Sequence, residues 1–450
     1  MPTAYTILFL LLILVAAATW IIPAGSYDYV DGVPVAGTYH TVEQNPQGVG
    51  DVLKAAFSGF YDAVDVCIFI LMVGGFLGVV MKTGAVDAGV GNVIRLLGGR
   101  EKWLIPILML LFGLGGTTYG MWEETMAFYP LLIPVFLAAG YDAVVGISVI
   151  LLGAGAGVIA STVNPFATGI AAGFAGVSLG EGIVLRLLEW VAFEAAAIWF
   201  VMAYAAKVKK NPSKSVVGVG AGKIQVSMDQ QVSFTAKRKV IMALFTLTFL
   251  IMVYAVVPFD EMGLSLPALG WWFPELSALF LVAGVVIGLI DRMSEEELVE
   301  TYVAGCADLL GVAFIIGISR GITVLMNDGA ITDTVLHWGE QALSGAGAIS
   351  FTLLVFALYL PLTILIPSSS GLATLSIPIV APLGKFAGVG GDLVVTAFQS
   401  ASGLVNIITP TAAVVMGALA LGHVPYDRWV KYVWKLILWF LLLALAFLVA

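Results

Sequence analysis

The chain has 450 residues, of which 60% are hydrophobic and 11% charged, against roughly 25% charged in an ordinary soluble domain. So few charges cannot cover a soluble fold of this size, and the chain is expected to lie in a membrane as a multi-pass protein. The net charge of −9 gives no sign of nucleic-acid binding.

Residues 6–22 form the first apolar run. Met1-Pro2-Thr3-Ala4 carries no Lys or Arg, and Ala16–Ala18 lead straight into Trp20-Ile21-Ile22-Pro23. These features predict a retained helix rather than a cleaved signal peptide. Further apolar runs near spanning length cover 64–81, 240–257, 279–290, 309–325 and 436–450. Cys67 and Cys306 both sit within apolar segments and read as small buried hydrophobes, with no disulfide or metal cluster implied.

The 20 Lys and Arg residues cluster on alternate connections. Lys82, Arg95, Arg100 and Lys102 share one, and eight more fall within 207–239. Segments 23–51, 258–275 and 326–345 hold acids and no bases. The positive-inside rule places the N-terminus and the two basic connections in the cytoplasm, so the chain is expected in the cytoplasmic (inner) membrane. Residues 211–233, rich in Gly, Ser and Lys, read as a linker between two halves.

The halves resemble each other. Gly59-Phe60-Tyr61-Asp62 matches Gly305-Cys306-Ala307-Asp308, and Lys82-Thr83-Gly84-Ala85-Val86 matches Asn327-Asp328-Gly329-Ala330-Ile331. Pro130 and Pro134 match Pro378 and Pro382, and Asn164-Pro165 matches Thr409-Pro410. The four offsets, between 245 and 248 residues, keep the same order. Topology puts the members of each pair on opposite sides, so the fold class is an all-α membrane protein of two inverted-topology repeats.

The expected layout is a first helix and external loop (1–52), repeat 1 (53–206), a cytoplasmic linker (207–236), connecting helices (237–298) and repeat 2 (299–450). Repeat 1 comprises a spanning helix over 53–81, an interfacial helix over 86–97, a re-entrant hairpin over 103–139, a broken helix over 143–178 and a helix over 183–206. The first hairpin turns at Gly115-Gly116-Thr117-Thr118-Tyr119-Gly120. Repeat 2 comprises a spanning helix over 301–325, an interfacial helix over 331–343, a hairpin over 347–387 turning at Pro367-Ser368-Ser369-Ser370-Gly371, a broken helix over 391–421 and a final helix over 428–449.

Unwound backbone at membrane depth is tolerated only where it is buried in protein or lines a wet cavity. Both tips and both breaks combine Pro or Gly with hydroxyl or carboxamide side chains. The candidate substrate- and ion-binding residues are therefore Thr117, Thr118, Glu123, Glu124 and Thr125 at the first tip, and Asn164, Pro165 and Thr168 at the first break. Ser368, Ser369, Ser370 and Thr374 follow at the second tip, with Asn406, Thr409 and Thr411 at the second break. A bland alternative is that the hydroxyls bond back to the preceding turn and the prolines only kink.

Glu123 and Glu124 are adjacent carboxylates at membrane depth, which are costly and mark function by default. Neighbours on a helix point about 100° apart. One is read as a counter-charge for a cationic substrate or a proton carrier, the other as a cap on the hairpin helix. Arg320 has three open readings: binding a substrate carboxylate, snorkelling outward, or pairing with Asp308 or Asp328. His40, His337 and His423 are expected to be solvated.

The runs 115–130, 164–169 and 367–371, with Ile22-Pro23-Ala24-Gly25, resemble the C4-dicarboxylate anaerobic carrier-like family (DcuC/YfcC-type carriers) of the ion transporter superfamily. The resemblance covers nearly the whole chain. It implies a homodimer in which a scaffold domain supports a transport domain that moves in an elevator-like manner. Related dicarboxylate/sodium symporters carry Ser-Asn-Thr at both tips, where this chain has Glu123-Glu124-Thr125 and Leu372-Ala373-Thr374.

The reading is an ion-coupled secondary transporter, symporter or exchanger, of a small charged metabolite: a basic amino acid or related amine. The alternatives are a C4-dicarboxylate and Na+/H+-type antiport. Na+ or H+ would be the coupling ion, with no other cofactor. A channel has less need of paired hairpins. An enzyme built on Ser370 and His423 lacks a third orienting group.

Overall fold

The computed structural model describes residues 4–86, 88–89, 100–218, 234–256, 259 and 265–449. Most of the interfacial helix expected over 86–97, and the part of the linker at 219–233, lie outside the described residues. The protein is mostly helical. The helices are α1 (Ala4–Ala18), α2 (Val49–Asp62), α3 (Val64–Lys82), α4 (Leu104–Thr118), α5 (Tyr129–Ala138), α6 (Ala143–Ile159), α7 (Ile170–Ala175), α8 (Ile183–Lys210) and α9 (Ala236–Val256). They continue with α10 (Phe273–Asp291), α11 (Glu295–Asp328), α12 (Thr332–Leu343), α13 (Ala348–Leu365), α14 (Ser369–Phe386), α15 (Gly391–Asn406), α16 (Ala413–Leu421) and α17 (Tyr426–Val449).

Among the described residues, α3, α10, α11, α13 and α17 are long and apolar enough to cross a bilayer. Their outward faces carry large apolar side chains, such as Leu310 and Phe314 on α11 and Leu438 and Leu442 on α17. Such a surface suits contact with acyl chains.

In lipid, helices associate through close packing rather than through the hydrophobic effect, and small residues allow it. The α2–α3–α11 group follows that rule. A Cβ on Gly59 of α2 would come within 2.1 Å of the Gly317 carbonyl and 2.5 Å of the Gly321 amide. One on Gly305 of α11 would come within 2.4 Å of the Gly74 carbonyl and 3.0 Å of Gly78 Cα. The aromatic rings of Phe69, Phe76, Phe245, Phe249 and Phe280 pack α9 and α10 onto α3.

A second group is centred on α6 and α15. Every residue of α6 is buried, and so is α15 from Val394 to Asn406. They meet where Gly403 rests on the Ile159 backbone and Gln399 Nε2 donates to the Val158 carbonyl at 2.7 Å. Helices α4 and α5 pack on α6, α13 and α14 pack on α15, and α8 and α17 flank them.

The connection before α2 contains two small antiparallel pairs, β1 (Gly25–Ser26) with β4 (His40–Thr41) and β2 (Tyr29–Val30) with β3 (Val33–Pro34). It clasps α12: the Tyr27 amide and Tyr29 hydroxyl donate to the two oxygens of Asp333, and the Tyr27 hydroxyl donates to Glu340 at 2.7 Å. Burial, then the Glu340 acceptor, holds the Tyr27 hydroxyl above the usual phenol range, so it remains a donor.

Three expectations are corrected here. The single helix expected over 53–81 is two helices meeting at Ala63, whereas α11 runs unbroken for 34 residues. The fold is not purely helical, because the long connection before α2 satisfies part of its backbone by pairing with itself. His337 is only partly solvated: it lies on α12, its Nδ1 is 3.0 Å from Glu340 Oε2, and its ring stacks on Tyr39 at 4.0 Å.

Candidate functional site: a pocket between two hairpin tips and two helix breaks

A pocket of about 150 Å³ lies where the tips of both hairpins meet the breaks after α6 and α15. Its wall includes Glu123 and Glu124 from the first hairpin, Asn164 from the first break and Ser368, Ser369 and Ser370 from the second hairpin. Asn406 and Thr411 line it from the second break, and Arg320 of α11 closes one side. A space of this size holds a handful of waters or a small polar group. A larger cleft, about 1180 Å³, lies between α3, α11 and α16. Its lining is mainly apolar and includes none of the candidate site residues.

The first hairpin turns later than its glycines predict. Helix α4 continues through Gly115, Gly116 and Thr117 to Thr118, because these glycines seat the helix against its neighbours. A Cβ on Gly116 would come within 2.2 Å of the Ala154 carbonyl. The turn is made at Gly120, whose φ of +78° favours glycine. Asn164 presses on the same atom, its Nδ2 lying 2.4 Å from where a Cβ would stand.

The chain then enters a 3₁₀ turn over Glu123–Phe128 before α5. Pro130 explains the delay, since its ring would clash with the carbonyl of Met126 in a continuous α-helix. The Trp122 amide donates to Glu124 Oε2 at 3.1 Å, so Glu124 caps the turn with one oxygen. Glu124 is 7% exposed, while Glu123 is half-buried, and both face the pocket. The division into one lining and one purely capping carboxylate is therefore corrected: Glu124 does both, lining the pocket with Glu123 while it accepts from the Trp122 amide.

The tip is stitched to the first break. The Thr162 amide and hydroxyl both donate to the Thr117 carbonyl, at 2.8 and 2.9 Å, and the Thr117 hydroxyl donates to the Ala160 carbonyl at 2.7 Å. Beyond the break, Pro165–Gly169 form one wide π turn, and the Gly169 amide donates to the Asn164 carbonyl at 2.7 Å. The Thr168 and Ser161 hydroxyls are fully buried, with no hydrogen-bond partner among the described residues.

In the second hairpin α14 begins at Ser369, within the expected turn Pro367–Gly371. The Ser368 hydroxyl accepts from the Gly371 amide at 3.2 Å and so caps the helix. Asn406 Nδ2 is 3.5 Å from Ser369 Oγ and bridges the second break to that cap. In the break itself the Thr409 and Thr411 hydroxyls bond each other at 2.8 Å. Its freed carbonyls are taken by α17: Tyr426 donates to Ile408 at 2.8 Å and the Trp429 indole to Ile407 at 3.1 Å.

Not every candidate residue reaches the pocket. Thr118 donates to the Leu114 carbonyl and Thr374 to that of Ser370, one turn back in each case. Thr125 bonds back to Trp122, and Thr117, Thr168 and Thr409 lie behind the wall. Arg320 pairs with neither Asp308 nor Asp328: its Nε is 3.8 Å from Asp62 Oδ2, because α2 ends beside it at the Ala63 break. Trp122, Trp272, Phe273 and Ser319 also line the pocket and were not singled out from sequence. The two tryptophans lie in connections beside apolar runs, where they read as interfacial anchors.

The family model for the C4-dicarboxylate anaerobic carrier matches residues 1–450. The chain is 35% identical to an uncharacterized protein of Haemophilus influenzae, covering 97% of this chain and 94% of that one. It is 30% identical to an Escherichia coli protein named putative basic amino acid antiporter YfcC, covering 96% and 92%. The solved structure of Neisseria gonorrhoeae MtrF, described as illuminating a class of antimetabolite efflux pumps, aligns over 100% of this chain and 95% of that one, with 17% identity and a TM-score of 0.44. Long apolar helices and a whole-chain match to a carrier family together make this chain a multi-pass membrane transporter belonging to the C4-dicarboxylate anaerobic carrier family.

Proposed function

We propose that this transporter is an ion-coupled secondary carrier of a basic amino acid or related amine, bound in the pocket between the hairpin tips. The observation that carries the reading is the pairing of opposite electrostatic ends across one small cavity. Glu123 and Glu124 supply negative charge on one wall, and the N-terminus of α14 supplies partial positive charge on the other. Arg320 is partly offset by Asp62, so the lining carries more negative than positive charge. A substrate with one carboxylate and a guanidinium or ammonium group fits that division: its carboxylate at Ser368–Ser370, its cationic end at the glutamates. Trp122 and Trp272 add ring faces that attract cations. The E. coli relative's name agrees with this substrate class.

Two inverted repeats account for the pocket's construction. Supporting this, Gly59 of α2 seats on Gly317 and Gly321 of α11, while Gly305, its counterpart in the second half, seats on Gly74 and Gly78 of α3. In this reading α2, α3 and α11 belong to a static scaffold and a homodimer interface. The hairpins with α6 and α15 are a unit that carries the pocket across the cytoplasmic membrane, with the N-terminus inside. The coupling ion is Na+ or H+.

The second reading is a C4-dicarboxylate, favoured by the family description and by Arg320 in the wall. A dianion would have to sit beside two carboxylates, and electrostatics opposes it unless they are protonated. Thermal-shift measurements on the purified protein with L-arginine, L-lysine, putrescine and succinate, each with and without Na+, separate the readings. Stabilisation by arginine or lysine alone supports the first, and stabilisation by succinate alone overturns it.

A further inference from the structure

Helix α8 carries two glutamates that the pocket does not use. Glu189 and Glu194 are 0% and 2% exposed, and neither oxygen of either carboxyl has a hydrogen-bond partner among the described residues. Glu189 has company: Arg186 lies one turn earlier on α8, and Ser400 of α15 lies beside it. Arg186 is itself held by the Leu179 carbonyl at 2.6 Å and faces Asp392 at the start of α15. Glu194 has none of this. Among the described residues no charged group of α4, α6, α15 or α17 acts on it.

The surroundings of Glu194 are specific. A Cβ on Gly113 of α4 would come within 2.4 Å of Glu194 Oε2 and 3.2 Å of the Trp190 indole nitrogen, which has no hydrogen-bond partner among the described residues. The carboxyl therefore occupies a notch that only glycine leaves open. On its other side the Gly113 carbonyl touches α6, lying 2.2 Å from where a Gly157 Cβ would stand. Five residues further along α4, the helix ends at the tip that presents Glu123 and Glu124.

An ionised carboxylate with neither donor nor counter-ion is strongly disfavoured in a low-dielectric interior. A carboxyl that takes up a proton when the notch closes, and returns it when α4 moves and water enters, avoids that cost. We propose that Glu194 is a proton-binding site of the carrier, separate from the substrate pocket and coupled to it through α4. The ligand is the proton itself, exchanged with water at the carboxyl oxygen. Glu189 differs in having Arg186 beside it as a counter-ion, which Glu194 lacks.

Infrared difference spectra of the protein in lipid films, recorded on a pH step in H2O and D2O, read a carboxyl proton directly and need no substrate. The proposal predicts a deuterium-sensitive carboxyl C=O band in the wild type that Glu194→Gln removes and Glu189→Gln leaves in place. Proteoliposomes loaded with a pH dye give the functional readout. Arginine-driven proton movement should fall at least about tenfold in Glu194→Gln, while exchange of labelled for unlabelled arginine persists. A Glu194→Gln variant that retains both the band and the proton movement overturns the proposal.

If arginine moves no protons in the wild type, the spectra still decide whether Glu194 binds one, and only the substrate reading is affected. Should Glu194→Gln not fold, Gly113→Ala serves instead, because its methyl must displace the carboxyl. An unchanged titration of the band in that variant overturns the proposal, and a shifted one supports it.

Discussion

The two hairpins, residues 104–138 and 348–386, bring different chemistry to one pocket from a shared plan. Each carries a pair of prolines four apart, Pro130 and Pro134 in the first, Pro378 and Pro382 in the second. In the first, Pro130 stands at the head of α5 with Pro134 inside it, and the residues before Pro130 form a 3₁₀ turn. In the second the pair lies inside an unbroken α14. There the Thr374 and Ser376 hydroxyls occupy carbonyls of the preceding turn, and Ser368 starts the helix early. Proline spacing alone therefore does not decide where a hairpin tip opens. The capping chemistry just before it does: acids and a left-handed glycine give a wide acidic tip, serines give a helix N-terminus.

Removing the acid at the first tip should have the largest effect. Glu124→Gln is expected to weaken arginine binding by about 2–3 kcal/mol, roughly a hundredfold, as when a buried charge loses its partner. Isothermal titration on purified protein measures it. Tighter succinate binding in the same variant would reverse the assignment of ends. Next comes Gly120→Ala, where a positive φ and contact with Asn164 should cost about 1–3 kcal/mol and lower the melting temperature in detergent. Gly371→Ala, in the first turn of α14 and without a positive φ, should change stability by less than about 1 kcal/mol. Equal losses at the two glycines would remove the contrast between the tips.

Ser368→Ala should cost about 1 kcal/mol through loss of the α14 cap, seen as about fivefold weaker binding of a substrate carboxylate. The smallest effect is expected for Thr374→Val, within about 0.5 kcal/mol, since that hydroxyl serves only the Ser370 carbonyl. A binding loss at Thr374 as large as that at Ser368 would mean the second tip extends further into α14.

Much of the pocket was legible in the sequence because Pro, Gly and hydroxyl residues at membrane depth have few stable placements. Glu123, Glu124, Asn164, Ser368–Ser370, Asn406 and Thr411 share one cavity. Thr118 and Thr374 do not join it, since whether a hydroxyl bonds backward or faces a cavity depends on helix phase, which the motif does not carry. The partner of Arg320 was illegible for another reason. Nothing in the 53–81 run marks Ala63 as a break, so Asp62 at its edge looked like a residue within a helix.

Composition and apolar run length determined that the chain lives in a bilayer, and the proline and glycine punctuation determined where its helices stop. Both are local properties, set by backbone sterics and by the cost of leaving a peptide group unpaired in lipid. Tertiary structure decided the rest. Only the crossing of α6 and α15 brings tips some 250 residues apart to one cavity. Only the packing of α8 on α4 makes a notch of Gly113 and seats Glu194 in it. Contacts between distant segments depend on which helix faces meet, and no spacing within a single helix records its partner.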